Sequence, residues 1–283
     1  MHLSYIPSLL LPVLGMSNKI LSDIHHPLSA KYQKDVPIAE KNSIDIGLEI
    51  LFRDDFEELR DTILPGVLDK IRFTKALFQG ILCTDIASPT RVKLGLERYQ
   101  VAQDEQGEYD GRLCPLAPYL EDMFDRTGLD EEAKEEFPDE FVITHSGLQQ
   151  CVRNEHLMLI SDISHLLQDW ETFVKWNFRL FKEIKTSSRK GFCDDPVEGW
   201  AQGQIGFLNH YILPLAKRSQ TFFYKEVGDA LVANGEMNLK LWTQHGVEAT
   251  SIMAAAVDND EAEDDVLLQL YELPSRSLSA LAA

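Results

Sequence analysis

From Val36 onward, apolar residues return every three or four positions, and the two-residue alternation of strands bounded by tight-turn pairs is nearly absent. The pattern predicts an all-α chain. A first helix is expected from Val36 to Phe52, with Pro37 accommodated in its first turn, and a second from Phe56 to Ile63, where Pro65-Gly66 interrupts the pattern. A third follows from Val67 to Ile86. Residues 101–144 scatter Gly107, Gly111, Pro115, Pro118, Gly128 and Pro138 among acids, which predicts an inserted loop with one short helix around Leu120 to Phe124. Two amphipathic stripes come next, Val152, His156, Leu159, Ile163 and Leu166, then Phe173, Asn177, Leu180, Phe181 and Ile184. A long helix is expected from Val197 to Tyr224, carrying Ile205, Leu208, Ile212 and Leu215, with a kink at Pro214 because proline has no N–H to give. Val227 to Trp242 reads as a closing helix, and residues 248–283, rich in Ala, Ser and acids, as a disordered, solvated tail.

Composition narrows the classes. A chain of 283 residues with 44% hydrophobic content can bury a core. Its 27 basic and 46 acidic residues give a formal charge of −19, which argues against binding to a nucleic-acid backbone or an anionic membrane surface. A small anionic ligand would need a metal or a local cationic patch to offset that field. The four cysteines, Cys83, Cys114, Cys151 and Cys193, are widely spaced, which fits a reducing, intracellular (cytoplasmic) setting. The apolar start, Tyr5 to Met16, lacks a basic leader, contains Pro7 and Pro12, and falls short of the roughly 20 residues that span a bilayer. No membrane segment is expected in these residues; membrane association of a longer protein and the oligomeric state stay open.

Three pairs could carry chemistry. Asp162 and His165, spaced i, i+3, leave one helix face and suit either a shared metal ion or a capped surface pair. His25-His26 point in different directions and precede Pro27, which suits a polar loop. Gln204 and Phe207 place an amide and a ring on one face, a combination that hydrogen-bonds and stacks a purine, or equally a solvent-facing Gln beside a core Phe. No GxSxG elbow, phosphate-cradling glycine loop, HExxH or EF-hand loop is present.

The run Leu159-Ile160-Ser161-Asp162-Ile163-Ser164-His165, then Trp170 and Val174-Lys175-Trp176-Asn177-Phe178-Arg179-Leu180-Phe181, resembles class I 3',5'-cyclic-nucleotide phosphodiesterases, especially the protist and algal type. Asp194-Asp195-Pro196, Trp200 and Gly203-Gln204-Ile205-Gly206-Phe207 through Ala216 resemble that family's QxGF helix and the segment behind it. Ile81-Leu82-Cys83-Thr84-Asp85-Ile86, Pro27-Leu28-Ser29-Ala30-Lys31-Tyr32 and Ala39-Glu40-Lys41-Asn42-Ser43 resemble further family segments, so the likeness covers residues 15–247 outside the insertion. The resemblance implies a multi-helix catalytic domain of the HD superfamily that opens cAMP or cGMP to the 5'-monophosphate in signal transduction. It implies two divalent metal ions, Zn with Mg or Mn, with Asp162 as a metal ligand and Glu40 and Asp85 as catalytic carboxylates behind the ligands. It further implies Gln204 as the base-reading amide, Phe207 and Leu180 as the clamp on the purine, and Phe173 and Asn177 as pocket lining. A carboxamide can rotate to offer either its donor or its acceptor edge, so Gln204 is compatible with adenine and guanine alike.

The sequence departs from the family at its start. Gly15-Met16-Ser17-Asn18 aligns just after the family's HDxxH segment, which places that segment on Leu9, Leu10, Leu11, Pro12 and Val13, none a metal donor. The HNxxH segment, with the family's general-acid histidine, is expected upstream of residue 1. The first 14 residues are therefore unmatched, the N-terminal helices are expected to be missing, and these 283 residues are expected to be inactive alone, whether as part of a longer enzyme or as a regulatory pseudoenzyme.

Overall fold

Helices make up all the regular structure of the described residues, 18–32, 37–86, 89–104 and 144–275 of a computed structural model. The expectations for Leu9 to Val13, Gly15 to Ser17 and Leu120 to Phe124 lie outside these residues. The chain divides into two units, residues 1–159 and 160–283.

In the N-terminal unit, α1 (Asn18–Asp23) supplies the cap that α3 (Ile38–Leu51) lacks. Asn18 accepts the Ala39 N–H at 2.8 Å and donates to Glu40 at 2.8 Å, satisfying a donor that Pro37 at the N-cap has no side chain to reach. Between them, α2 (Pro27–Lys31) opens on Pro27 with the His26 ring accepting the Leu28 N–H at 3.2 Å, so His26 of the histidine pair is a cap. Asp45 on α3 is buried and collects Tyr32 Oη at 2.5 Å, Lys31 Nζ at 3.0 Å and Lys41 Nζ at 3.4 Å. Burial, then the hydrogen bond with Asp45, holds the Tyr32 phenol above its ordinary pKa.

After α4 (Glu57–Ile63), α5 (Val67–Leu82) packs Phe78, Ile81 and Leu82 against Ile44 and Leu48 of α3. It ends before the expected Ile86 because Thr84 turns both its N–H and its hydroxyl onto the Ile81 carbonyl, at 3.1 and 2.7 Å. α6 (Pro89–Gln103) is a helix that the hydrophobic pattern misses. Its buried positions include Arg98 and Ala102, one charged and one small, so no clear apolar stripe marks it. Arg98 meets the buried Glu155 at 2.9 Å on α7 (His145–Ile163), and Gln79 donates to the Cys151 carbonyl at 2.9 Å and to Glu155 at 3.4 Å.

The C-terminal unit begins in the last turn of α7, tightens into a 3-10 turn at Ser164–Leu167, and continues into α8 (Trp170–Arg189). Asp169 caps α8 by accepting the Thr172 N–H at 2.8 Å, which holds its carboxyl below the ordinary range. The expected long helix from Val197 runs as one helical stretch from Trp200 to Phe222, with a change of register inside it. Gly199, at φ +93°, turns the chain where a side chain would be strained, and α9 (Trp200–Phe207) starts after it. At Leu208–Ile212 the ladder widens into a π turn: Leu208 N–H still reaches Gln204 four residues back, whereas Leu213 N–H reaches Leu208 five back. Pro214 follows in the first turn of α10 (Leu213–Phe222), so the register changes just where the next N–H is missing.

α11 (Lys225–Asp258) and α12 (Glu263–Tyr271) complete the unit and correct the expectation of a disordered tail after Val247. Ala249, Met253, Ala256, Val257, Val266, Leu267, Leu270 and Leu273 are buried. Small and acidic residues read as a tail in sequence, but on a helix the Ala positions allow close packing while the acids face out. Trp242 on α11 is fully buried against Trp170 and Phe173 of α8, and donates to the Ala201 carbonyl at 3.0 Å. α10 and α11 cross closely, since a Cβ on Gly228 would lie 2.7 Å from the Gln220 Cα. Gly228→Ala should therefore destabilise by about 1–3 kcal/mol through overpacking, despite the ~1 kcal/mol that alanine gains in helix propensity. The urea midpoint of the variant checks this; an unchanged or raised midpoint would show that the crossing yields easily.

Candidate functional site

The C-terminal unit brings part of the expected site onto two neighbouring helices. α8 presents Trp176 and Leu180, one turn apart and 44% and 46% exposed, on its outer face. α9 is held to α8 by its first residue: Trp200 donates to Asn177 Oδ1 at 2.9 Å and sets its ring edge-on to Phe181 at 5.2 Å. One turn further along α9 lie Gln204 and Phe207, both half-buried and on one face. Phe207 stacks parallel to Tyr211, with ring centres 5.4 Å apart and an interplanar angle of 4°.

Two residues expected to line a pocket are placed beneath this surface instead. Phe173 is fully buried between Trp170 and Trp242, and Asn177 is 2% exposed with its carbonyl oxygen engaged by Trp200. Trp242 and Trp200, both distant in sequence, contribute to these placements. They act on the site by fixing α8 against α9 and α11.

Asp162 and His165 do not form a matched pair of metal donors. Asp162 lies in the last turn of the α-helix and His165 in the 3-10 turn that follows, where His165 hydrogen-bonds the Asp162 backbone and packs its ring 5.3 Å from that of Trp176. Burial lowers the His165 pKa to about 4, against the raising effect of that hydrogen bond, so the imidazole is neutral at pH 7. Burial also pushes the Asp162 carboxyl above its ordinary value. In the N-terminal unit, Glu40 and Asp85 are buried, Glu40 accepting from Asn18 and Asp85 lying past the end of α5. Among the described residues no group of three or more His, Cys, Asp or Glu is placed to hold a metal ion. Asp162, Glu40 and Asp85 are therefore the described carboxylates of the expected set, and none of them stands in such a group.

Trp176 and Tyr211, which the sequence reading singled out for no role, pack beside candidate residues, Trp176 on His165 and Tyr211 on Phe207. A large aromatic on the polar side of an amphipathic helix was the available signal for Trp176. Tyr211, four residues after Phe207, carried none by itself.

The family model for 3'5'-cyclic nucleotide phosphodiesterases matches residues 14–233, more than half of the chain. The chain belongs to this phosphodiesterase family. The match takes in every helix from α1 to α10 and ends within α11. Among solved structures, the phosphodiesterase domain of the RhoPDE fusion protein from the choanoflagellate Salpingoeca rosetta superposes with a TM-score of 0.57 at 17% identity, over 87% of this chain and 68% of that one. At that identity the likeness speaks for the all-α fold. No curated protein matches the sequence. Among the described residues, no helix of this phosphodiesterase-family chain is long and apolar enough to cross a membrane.

Proposed function

We propose that the chain supplies the nucleotide-binding half of a phosphodiesterase acting on 3',5'-cyclic nucleotides, cAMP, cGMP or both. The observation that carries the reading is the Gln204 and Phe207 pair on one face of α9, locked to α8 through Trp200 inside the family match. Gln204 reads the base edge through its amide, Phe207 and Leu180 close on the two purine faces, and Phe173 and Asn177 keep the helices in register beneath. Family membership supports hydrolysis to the 5'-monophosphate as the reaction, with Asp162, Glu40 and Asp85 as its carboxylates and divalent metals as the source of charge neutralisation.

The 283 residues alone are proposed to bind without hydrolysing. Residues Leu9 to Val13 offer no donor in sequence, and the described residues hold no three-donor cluster. The same observation favours a second reading, a non-catalytic cyclic-nucleotide-binding or regulatory module. Incubation of the purified chain with cAMP or cGMP and Mg²⁺ or Mn²⁺ tests the first point: product at the blank level is expected, and turnover above it would overturn the account of the metal donors. A longer form that hydrolyses both selects the enzyme reading over the regulatory module.

A further inference from the structure

Phe207, immediately before the π turn of the C-terminal unit, stacks on Tyr211 inside that turn. Their planes are parallel within 4° and their centres 5.4 Å apart, an offset stack of the kind worth more than its buried area alone. The ladder changes from four-residue to five-residue closure across Leu208–Ile212, with the Leu213 N–H bound to the Leu208 carbonyl. Such single π turns inside helices recur at functional sites because they re-aim side chains at a local cost in hydrogen-bond geometry. Here Ile212 and Leu213, immediately after Tyr211, are buried and pin the widened turn from the core side, while Phe207 and Tyr211 stay half-buried.

We propose that Tyr211 is a positioning residue for Phe207, holding the ring in the rotamer that meets a purine before the nucleotide arrives. The inference rests on the reading of Phe207 as a jaw of the base site. A ring that is free to change rotamer loses that freedom on binding, whereas a ring already stacked has lost it in the unliganded protein. The stack therefore tightens binding without Tyr211 touching the ligand.

Titration of the full chain with cAMP and with cGMP, followed calorimetrically, tests this. Tyr211→Leu should weaken binding by about threefold to tenfold, the range one ordered side chain accounts for. Tyr211→Phe, which keeps the ring and removes only the hydroxyl, should restore the lost affinity. In a Phe207→Ala background the further change Tyr211→Leu should have no effect, because Tyr211 then has no ring to position. That last comparison separates positioning from general packing: an undiminished effect in the Phe207→Ala background would overturn the proposal, as would equal affinity of Tyr211→Leu and the unmodified chain. If the unmodified chain binds neither nucleotide, the reading of the base site itself falls, and the role of Tyr211 falls with it.

Discussion

A chain ended at Val247 should lose the cooperative melt of its C-terminal unit. The residues removed include Met253, Val257, Val266, Leu267, Leu270 and Leu273, all buried, together with the small buried Ala249 and Ala256. At roughly 1.5–3 kcal/mol for each large side chain, their burial is worth about 10 kcal/mol or more, comparable with the whole stability of an ordinary domain. The polar losses point the same way. Trp170 donates to the Leu270 carbonyl at 3.1 Å, Arg179 pairs with Glu263 at 2.8 Å, and Arg189 binds Asp258 at 2.6 Å and the Val257 carbonyl at 2.9 Å. All three donors sit on α8, so the truncation exposes the underside of the helix that carries Trp176 and Leu180. Thermal unfolding followed by circular dichroism, with a dye that reports exposed apolar surface, reads the outcome. An unchanged melt would return residues 248–275 to the status of a solvated tail.

Glu155→Ala should be the most destabilising of the polar substitutions in the N-terminal unit, by about 3–5 kcal/mol. Glu155 and Arg98 are each less than a tenth exposed and meet at 2.9 Å, with Gln79 completing the carboxylate. Removing the acid leaves a guanidinium that cannot lose its proton in a site from which water is excluded. The pair itself contributes little against a well-packed apolar substitute, since desolvation offsets most of its attraction. The double variant Arg98→Met with Glu155→Leu should therefore recover much of what Glu155→Ala loses. Denaturant midpoints of the three chains check this, and a loss under about 1 kcal/mol for Glu155→Ala would show that the pair behaves as a surface one.

Much of the fold was legible because the large apolar residues themselves lie on the buried faces. Ile44 and Leu48 lie on the buried face of α3, and of the stripe read on α8 Phe173, Asn177 and Phe181 are buried whereas Leu180 faces out. α6 was hidden because Arg98 and Ala102 turn inward, and charge or smallness in sequence says nothing of burial. The last two helices were hidden for a related reason: Ala-rich sequence with acids describes a closely packed helix face as well as it describes a tail. Pro214 announced a disturbance of the long helix, and the structure has a π turn just before it through which the helix continues.

The candidate residues were legible in their spacing and less so in their depth. Gln204 and Phe207 share a face as their spacing required. Phe173 and Asn177 lie on the same helix as Leu180, yet Trp242 and Trp200 reach across from later elements and bury them. No local pattern on α8 foretells those partners. His165 shows the same limit, since its ring packs against Trp176 of the next helix, a partner that the Asp162–His165 spacing does not announce.

The most direct test of the account is binding of cAMP and cGMP to the purified full chain in the presence of a metal chelator, beside Gln204→Ala. Saturable binding of at least one nucleotide, weakened about tenfold or more in the variant, is the expected result, because the proposed base site consists of protein groups that need no metal. Absence of binding in the unmodified chain, or equal binding in Gln204→Ala, would contradict the assignment of the base site to α8 and α9.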